Sequence, residues 1–333
     1  MKKFLFSLAI LCATAGLSFG QTTVFSDSWA DGGLDNGADA SDIPWYTSTA
    51  SNAIEVTTGS MGLVTGTSGR GIHGLFDIQD LNAGDSLTLT FTFSSPATLG
   101  DNRSNALRVG IFNSLGRTDL GSNQSLSSSN PNPLFDGLPG YMAVYDIATG
   151  EENISIYEHD VTATLGRFMS TTSEFTSLES GGDAYVFTSD TEFVVELTVT
   201  RSADQEVNVS STLSSGGNVL STFSTSDSVD AQTSFDMLGI QVGSNTFGSS
   251  NAADTEDNGL TFSNIMLVSS GGSSDSWAGY PIVNEVGDVD TDTWLGWINV
   301  IEDPWIYIYA LSGWIYCPEE NVGESGGWGY LPK

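Results

Sequence analysis

The run Leu87-Thr88-Leu89-Thr90-Phe91-Thr92-Phe93 limits what this chain can fold into more than any other feature. Apolar and polar residues alternate without a break, so an extended backbone puts Leu and Phe on one face and Thr on the other. Segments of similar character follow at 107–112, 141–147, 193–200, 206–210, 219–223, 237–242 and 261–268. Clusters of Gly, Asn, Asp and Ser separate them, as turn chemistry requires. Ser215-Gly216-Gly217-Asn218 marks a hairpin between two of them. Convincing 3.6-residue periodicity is absent beyond the first twenty residues. Many short strands joined by such turns predict an all-β chain built as a two-sheet antiparallel sandwich.

Residues 1–20 carry the three parts of a secretory signal. Lys2 and Lys3 are the basic start, residues 4–17 the apolar run, and Ser18-Phe19-Gly20 the small-residue site before cleavage ahead of Gln21. The apolar run is too short to stay as a spanning helix, and Leu11 before Cys12 opposes lipidation. The expected location is therefore periplasmic, cell-surface or extracellular, with no transmembrane segment in the mature chain. Against 41 acidic residues stand 9 basic ones, a net charge of −32. Such a surface repels nucleic acid and anionic membranes and suits solubility in a salty medium. After cleavage Cys317 is the sole cysteine, so no intramolecular disulfide can form. His73 and His159 are the only histidines, too few for a multi-histidine zinc site.

Composition divides the mature chain. Residues 21–268 are rich in Ser, Thr, Gly and Asp. Residues 269–275 contain the run Ser269-Ser270-Gly271-Gly272-Ser273-Ser274 and read as a linker. Residues 276–333 hold six of the eight Trp and no Phe, which marks a separate small aromatic-rich β module. Trp297-Ile298-Asn299, Trp305-Ile306-Tyr307, Trp314-Ile315-Tyr316 and Trp328-Gly329-Tyr330 repeat within it.

The order of elements over about 25–268 resembles the concanavalin A-like, or laminin-G-like, jelly roll of exported bacterial proteins. Phe25-Ser26-Asp27-Ser28-Trp29-Ala30-Asp31-Gly32-Gly33 looks like its opening strand and turn. Residues 107–113 look like a central strand, 140–145 like its partner, and 258–265 like the closing strand that returns beside the first. The tail resembles Trp/Tyr-rich C-terminal modules of marine Verrucomicrobia and, distantly, choline-binding repeats, from which its irregular spacing departs.

The jelly-roll family includes glycoside hydrolases that use alternating carboxylates on one strand face. Glu192 and Glu196 share such a spacing, but Val194 stands where the middle acid belongs. Glu158-His159-Asp160 puts neighbours on opposite faces, and reads as a solvated loop or strand end. No Gly-x-Ser-x-Gly elbow stands in a suitable context. The resemblance implies a structural Ca²⁺ where first and last strands meet, with Asp27, Asp31 and Asp257 as ligands. Asp288-Val289-Asp290-Thr291-Asp292 starts like a calcium loop, then fails at Thr293 and Asn299. Aromatic rings stack on pyranose faces, which makes Trp29, Trp45 and Tyr46 in the sandwich, and Trp294, Trp297, Trp305 and Trp314 in the tail, candidates for sugar binding. In a module of this size the tail's rings are expected first of all to form the core. The leading expectation is a non-catalytic exported protein that recognises a polysaccharide or cell-envelope glycan. A polysaccharide-active hydrolase or lyase, and an adhesive surface protein, are the alternatives. Oligomeric state is left open.

Overall fold

A computed structural model describes residues 21–34, 42–47, 54–63, 69–97, 99, 106–124, 131–146, 152–203, 205–243, 246–247 and 259–271, and in the tail 276–277, 280–281, 288–291, 295–302, 305–317, 322–323 and 326–327. The expected signal peptide lies outside these residues.

The first region contains β1 (Gln21–Asp27), β2 (Trp45–Thr47), β3 (Ile54–Thr57), β4 (Ser60–Leu63), β5 (Arg70–Asp80), β6 (Ser86–Ser94), β7 (Ala106–Phe112), β8 (Gly140–Asp146), β9 (Glu152–His159), β10 (Phe175–Tyr185), β11 (Glu192–Ala203), β12 (Glu206–Ser215), β13 (Asn218–Asp227), β14 (Ser234–Val242) and β15 (Leu260–Ser270). They form two antiparallel sheets. One runs β13-β12-β11-β6-β15-β4-β3, with β1 also on β15; the other runs β10-β9-β8-β7-β14-β5-β2. The expected jelly-roll sandwich is what the chain builds.

The alternation in β6 sets its register. Leu87, Leu89, Phe91 and Phe93 are fully buried, and the threonines between them are half-buried. Phe91 lies between Val195 of β11 and Ile265 of β15. A one-residue slip would turn this whole row to solvent, at about 1.5–3 kcal/mol per large side chain. The β12–β13 hairpin turns through Gly216 and Gly217, whose φ of +56° and +76° only glycine adopts without strain. The opening and closing strands meet, with Phe25 opposite Leu267 and Asp27 opposite Ile265. β7 pairs with β8.

Three long strands have no counterpart in the sequence reading. In β5, residues 71–74 are buried on both faces, so no alternation shows. β9 alternates only weakly. β10 is a mostly exposed, polar edge whose Ser and Thr content looks like mere composition. β15 extends to Ser270, opposite Gln21, and so takes in the first two residues of the Ser/Gly run.

Residues 113–124, 131–139 and 160–174 fold back over the outer face of the seven-stranded sheet. Phe135, Phe168 and Met169 from these segments pack on Phe112, Met142 and Met237 of the strands in a second apolar cluster. Gly239 makes room: a Cβ there would sit 2.7 Å from Met169 Sδ. Side-chain donors fasten the segments through backbone carbonyls. His73 Nε2–H donates to Leu120 O (2.9 Å), His159 Nδ1–H to Leu138 O (2.8 Å), and Arg117 Nη1 to Leu134 O and Asp136 O (2.7 and 2.8 Å).

The tail adds β16 (Ser276–Trp277), β17 (Tyr280–Pro281), β18 (Asp288–Asp290), β19 (Trp297–Glu302), β20 (Trp305–Ile308), β21 (Gly313–Tyr316), β22 (Val322–Gly323) and β23 (Gly326–Gly327). Its main sheet is β18-β19-β20-β21. Among the described residues no helix is long and apolar enough to cross a membrane.

Candidate functional site

In each Trp-Ile pair of the tail, neighbouring residues on a strand must face opposite ways. The isoleucines face inward: Ile298, Ile306, Ile308 and Ile315 join Val289, Val300 and Cys317 in a buried cluster. The rings face outward, with Trp297 48% exposed, Trp305 39%, Trp314 42% and Tyr316 40%. This corrects the expectation that the tail's rings form its core. Both members of each pair are apolar, so composition could not show which one faces in. The β-branched isoleucines fit the single covered face of the sheet.

The outward rings are ordered. Trp305 pairs with Tyr316 and Tyr307 with Trp314 across β20 and β21. Both pairs meet edge to face with centroids 5.3 Å apart, and Tyr309 meets Tyr307 in the same way. Successive rings on one strand are about 7 Å apart by strand geometry. Asp288 lies opposite Asn299, which lies opposite Tyr307. Asp288 Oδ1 accepts from Asn299 Nδ2 (3.0 Å) and from Tyr309 Oη–H (2.7 Å). That bond to Asp288 raises the Tyr309 phenol above its ordinary pKa. The Asp288–Asp290 segment is thus a strand in a ladder rather than a calcium loop, and Asp292 lies outside the described residues. Chemically the face offers flat apolar rings for the C–H faces of a sugar, with a carboxylate, an amide and a phenol beside them for its hydroxyls.

The sandwich candidates fare differently. Trp29 is 0% and Trp45 3% exposed, within the main core. Buried among Phe25, Phe262 and each other, these two rings have no face left for a sugar, which corrects that expectation. Asp27, also buried, accepts from Trp29 N–H (2.7 Å) and from Trp45 Nε1–H (2.5 Å). Its carboxylate holds the opening turn against β2. Asp31 is exposed and accepts from Gly33 N–H (2.7 Å). Asp257 lies outside the described residues. Among those residues no group of three or more His, Cys, Asp or Glu is placed to hold a metal ion. Tyr46 is half-buried and lines an open cleft of about 760 Å³ with Pro44, Leu34, Ser122 and Asn123.

Glu196 projects from β11 into a shallow hollow of about 380 Å³ among Thr88, Thr90, Thr198, Ser210 and Thr212, and Glu192 is exposed farther along the same strand. Glu158 and His159 end β9. His159 is fully buried rather than solvated. Burial, with Asp227 next in importance, pushes the Glu158 carboxyl up to about 7.

Sequence reasoning passed over Arg108 and Gln241. Arg108 is the one polar residue of β7, and Gln241 stands between Ile240 and Val242 in β14, and that was the available signal. Both lie on the outer face of the seven-stranded sheet.

No protein-family model matches the chain, and no curated protein matches it in sequence. Solved structures resemble the sandwich. The Emp47p carbohydrate recognition domain aligns at 13% identity and TM-score 0.45, over 77% of this chain and 98% of its own. The basic winged bean lectin with Tn-antigen aligns at 12% and 0.42, over 75% and 98%. The alginate lyase Aly36B mutant with alginate tetrasaccharide aligns at 11% and 0.44, over 76% and 97%. At these identities and TM-scores the likeness carries no ligand, metal or reaction over to this chain.

Proposed function

We propose that this protein is exported and recognises a polysaccharide or cell-envelope glycan through the outward aromatic face of its C-terminal sheet. The supporting observation is the segregation of that sheet. Among the described residues Val, Ile and Cys317 side chains close its core, while Trp297, Trp305, Tyr307, Trp314 and Tyr316 stand on the opposite side. Large exposed rings are costly to keep unless a partner covers them. Asp288 and Asn299 at the edge of the block supply the polar contacts that orient a hydroxylated ligand. The test is binding of the chain from Gln21 onward to a glycan array and to insoluble polysaccharides, with and without chelator. The Trp305→Ala/Trp314→Ala variant should bind at least about tenfold more weakly with unfolding of the sandwich unchanged. Binding should survive chelation, because the rings need no metal. Absence of binding by the wild-type chain, or equal binding by the variant, would refute the reading.

A further inference from the structure

β2 is an edge strand of the seven-stranded sheet, and β3 an edge strand of the eight-stranded sheet. Residues of both edges line one open cleft of about 760 Å³. Tyr46 and Thr47 come from β2 and Ile54 from β3, with Leu34, Pro44 and Asn123 from the segments beside them.

The backbone of β2 is closed to an added strand, which would need the outward N–H groups of the edge. Trp45 N–H already donates to Leu34 O (2.8 Å), and Thr47 N–H to Asn123 Oδ1 (3.0 Å). An extended peptide is thereby excluded, and the cleft is left to a compact ligand.

The side chains say what that ligand must offer. Tyr46 is half-buried, and its ring rests against fully buried His73 with centroids 5.4 Å apart. Its hydroxyl stands by Gly121, where a Cβ would come 3.7 Å from it. Ser122 Oγ is engaged, donating to Asp119 O (2.9 Å) and accepting from Gln124 Nε2–H (2.7 Å). Tyr46 Oη and Asn123 Nδ2, by contrast, have no hydrogen-bond partner among the described residues. A wholly apolar guest would strip water from both and leave them unpaired. None of the described lining residues is charged, in a chain of net charge −32. An anionic group would meet that field with no Lys or Arg in the cleft to receive it, and a cation would find no carboxylate there. The ligand is therefore uncharged, apolar on one side and hydroxylated on another. A neutral pyranose ring has this make-up: a C–H face for the Tyr46 ring, and hydroxyls that accept from Asn123 Nδ2–H and bond with Tyr46 Oη.

We propose that this cleft is a second binding site, on the sandwich itself, that takes a pyranose ring of a neutral polysaccharide, with Tyr46 as its platform and Asn123 as the donor that orients it. It is separate from the aromatic face of the tail, and the experiment keeps the two apart. In the Trp305→Ala/Trp314→Ala background, which removes the tail rings, cellohexaose, laminarihexaose, mannohexaose and a galacturonate hexamer are titrated by calorimetry. At least one neutral hexasaccharide should bind, about tenfold or more tighter than the galacturonate. Asn123→Asp keeps Oδ1 for Thr47 N–H but replaces the open donor with a charged acceptor, and should weaken that binding at least about tenfold. Tyr46→Phe keeps the platform and loses the hydroxyl, and should weaken it about threefold to tenfold. Neither substitution removes a hydrogen bond within the described residues, so the melting temperature should hold. The proposal is overturned if no neutral hexasaccharide binds in this background, if the galacturonate binds best, or if both variants bind as tightly as the background. The tail reading is judged separately, by what the wild type binds and this background loses.

Discussion

Protonation of His73 should loosen the segment that covers the seven-stranded sheet, and the structure gives the size of the effect. The ring is fully buried between Tyr46 and Phe135, and its Nε2–H holds Leu120 O. Burial lowers its pKa from 6.5 to about 4, against the opposing pull of the Leu120 carbonyl. Between these values the unfolded chain binds the proton and the folded one resists it. The stability contributed by the neutral ring is therefore fully present above pH 6.5 and falls away as pH drops toward 4. Linkage puts the loss at about 2 kcal/mol by pH 5 and about 3 kcal/mol by pH 4. The chain's many carboxylates titrate in the same range, so the quantity to measure is a difference. Urea unfolding of the wild type and of His73→Gln, followed by circular dichroism from pH 7.5 to 4, gives that difference at each pH. The wild type's advantage should shrink by those amounts. A difference that stays flat from pH 6.5 to 4 would show that the buried ring is not what resists the proton.

Other expectations follow from the same structure. Asp27→Ala leaves the Trp29 N–H and Trp45 Nε1–H without this acceptor, and should cost about 2–5 kcal/mol in denaturant unfolding; a loss below about 1 kcal/mol would refute the anchoring role. Ile306→Ala should destabilise the tail by about 2–5 kcal/mol, whereas its neighbour Trp305→Ala should stay within about 1 kcal/mol, as read by hydrogen exchange of tail amides; the reverse order would restore the rings to the core. Glu158, raised to about 7, keeps its proton when folded, so it penalises the fold as pH rises from 4.5 through 7. It is partly solvated, so Glu158→Gln should gain only about 1 kcal/mol at pH 8 and nothing at pH 4; equal melting shifts at both pH values would contradict this. Gly239→Val should displace Met169 and Phe168 and lower the melting temperature, visible as a changed near-ultraviolet spectrum.

The strands that face the core on one side were legible in sequence. In β6, β11 and β12 an apolar residue at every second position has only one way to be buried. The glycine turn at Gly216-Gly217 was legible for the same local reason. β5 was not, because a strand covered on both faces loses its alternation. The Tyr46 cleft keeps a ring that sequence proposed, whereas Trp29 and Trp45, proposed on equal grounds, are core.

By itself the sequence determined the all-β class, the hairpin of β12 and β13, and the separate aromatic character of the tail. Each follows from local alternation, turn chemistry or composition, which need no knowledge of distant partners. Only the tertiary structure decided which aromatic rings are buried, since a Trp is equally suited to a core and to a surface. It turned Trp305 and Trp314 outward because isoleucine fills the covered side of their sheet. It also set Gln241 beside Arg108, residues far apart in sequence, through the pairing of β14 with β7. Such a pairing depends on how whole sheets assemble, and no local pattern in either strand encodes it.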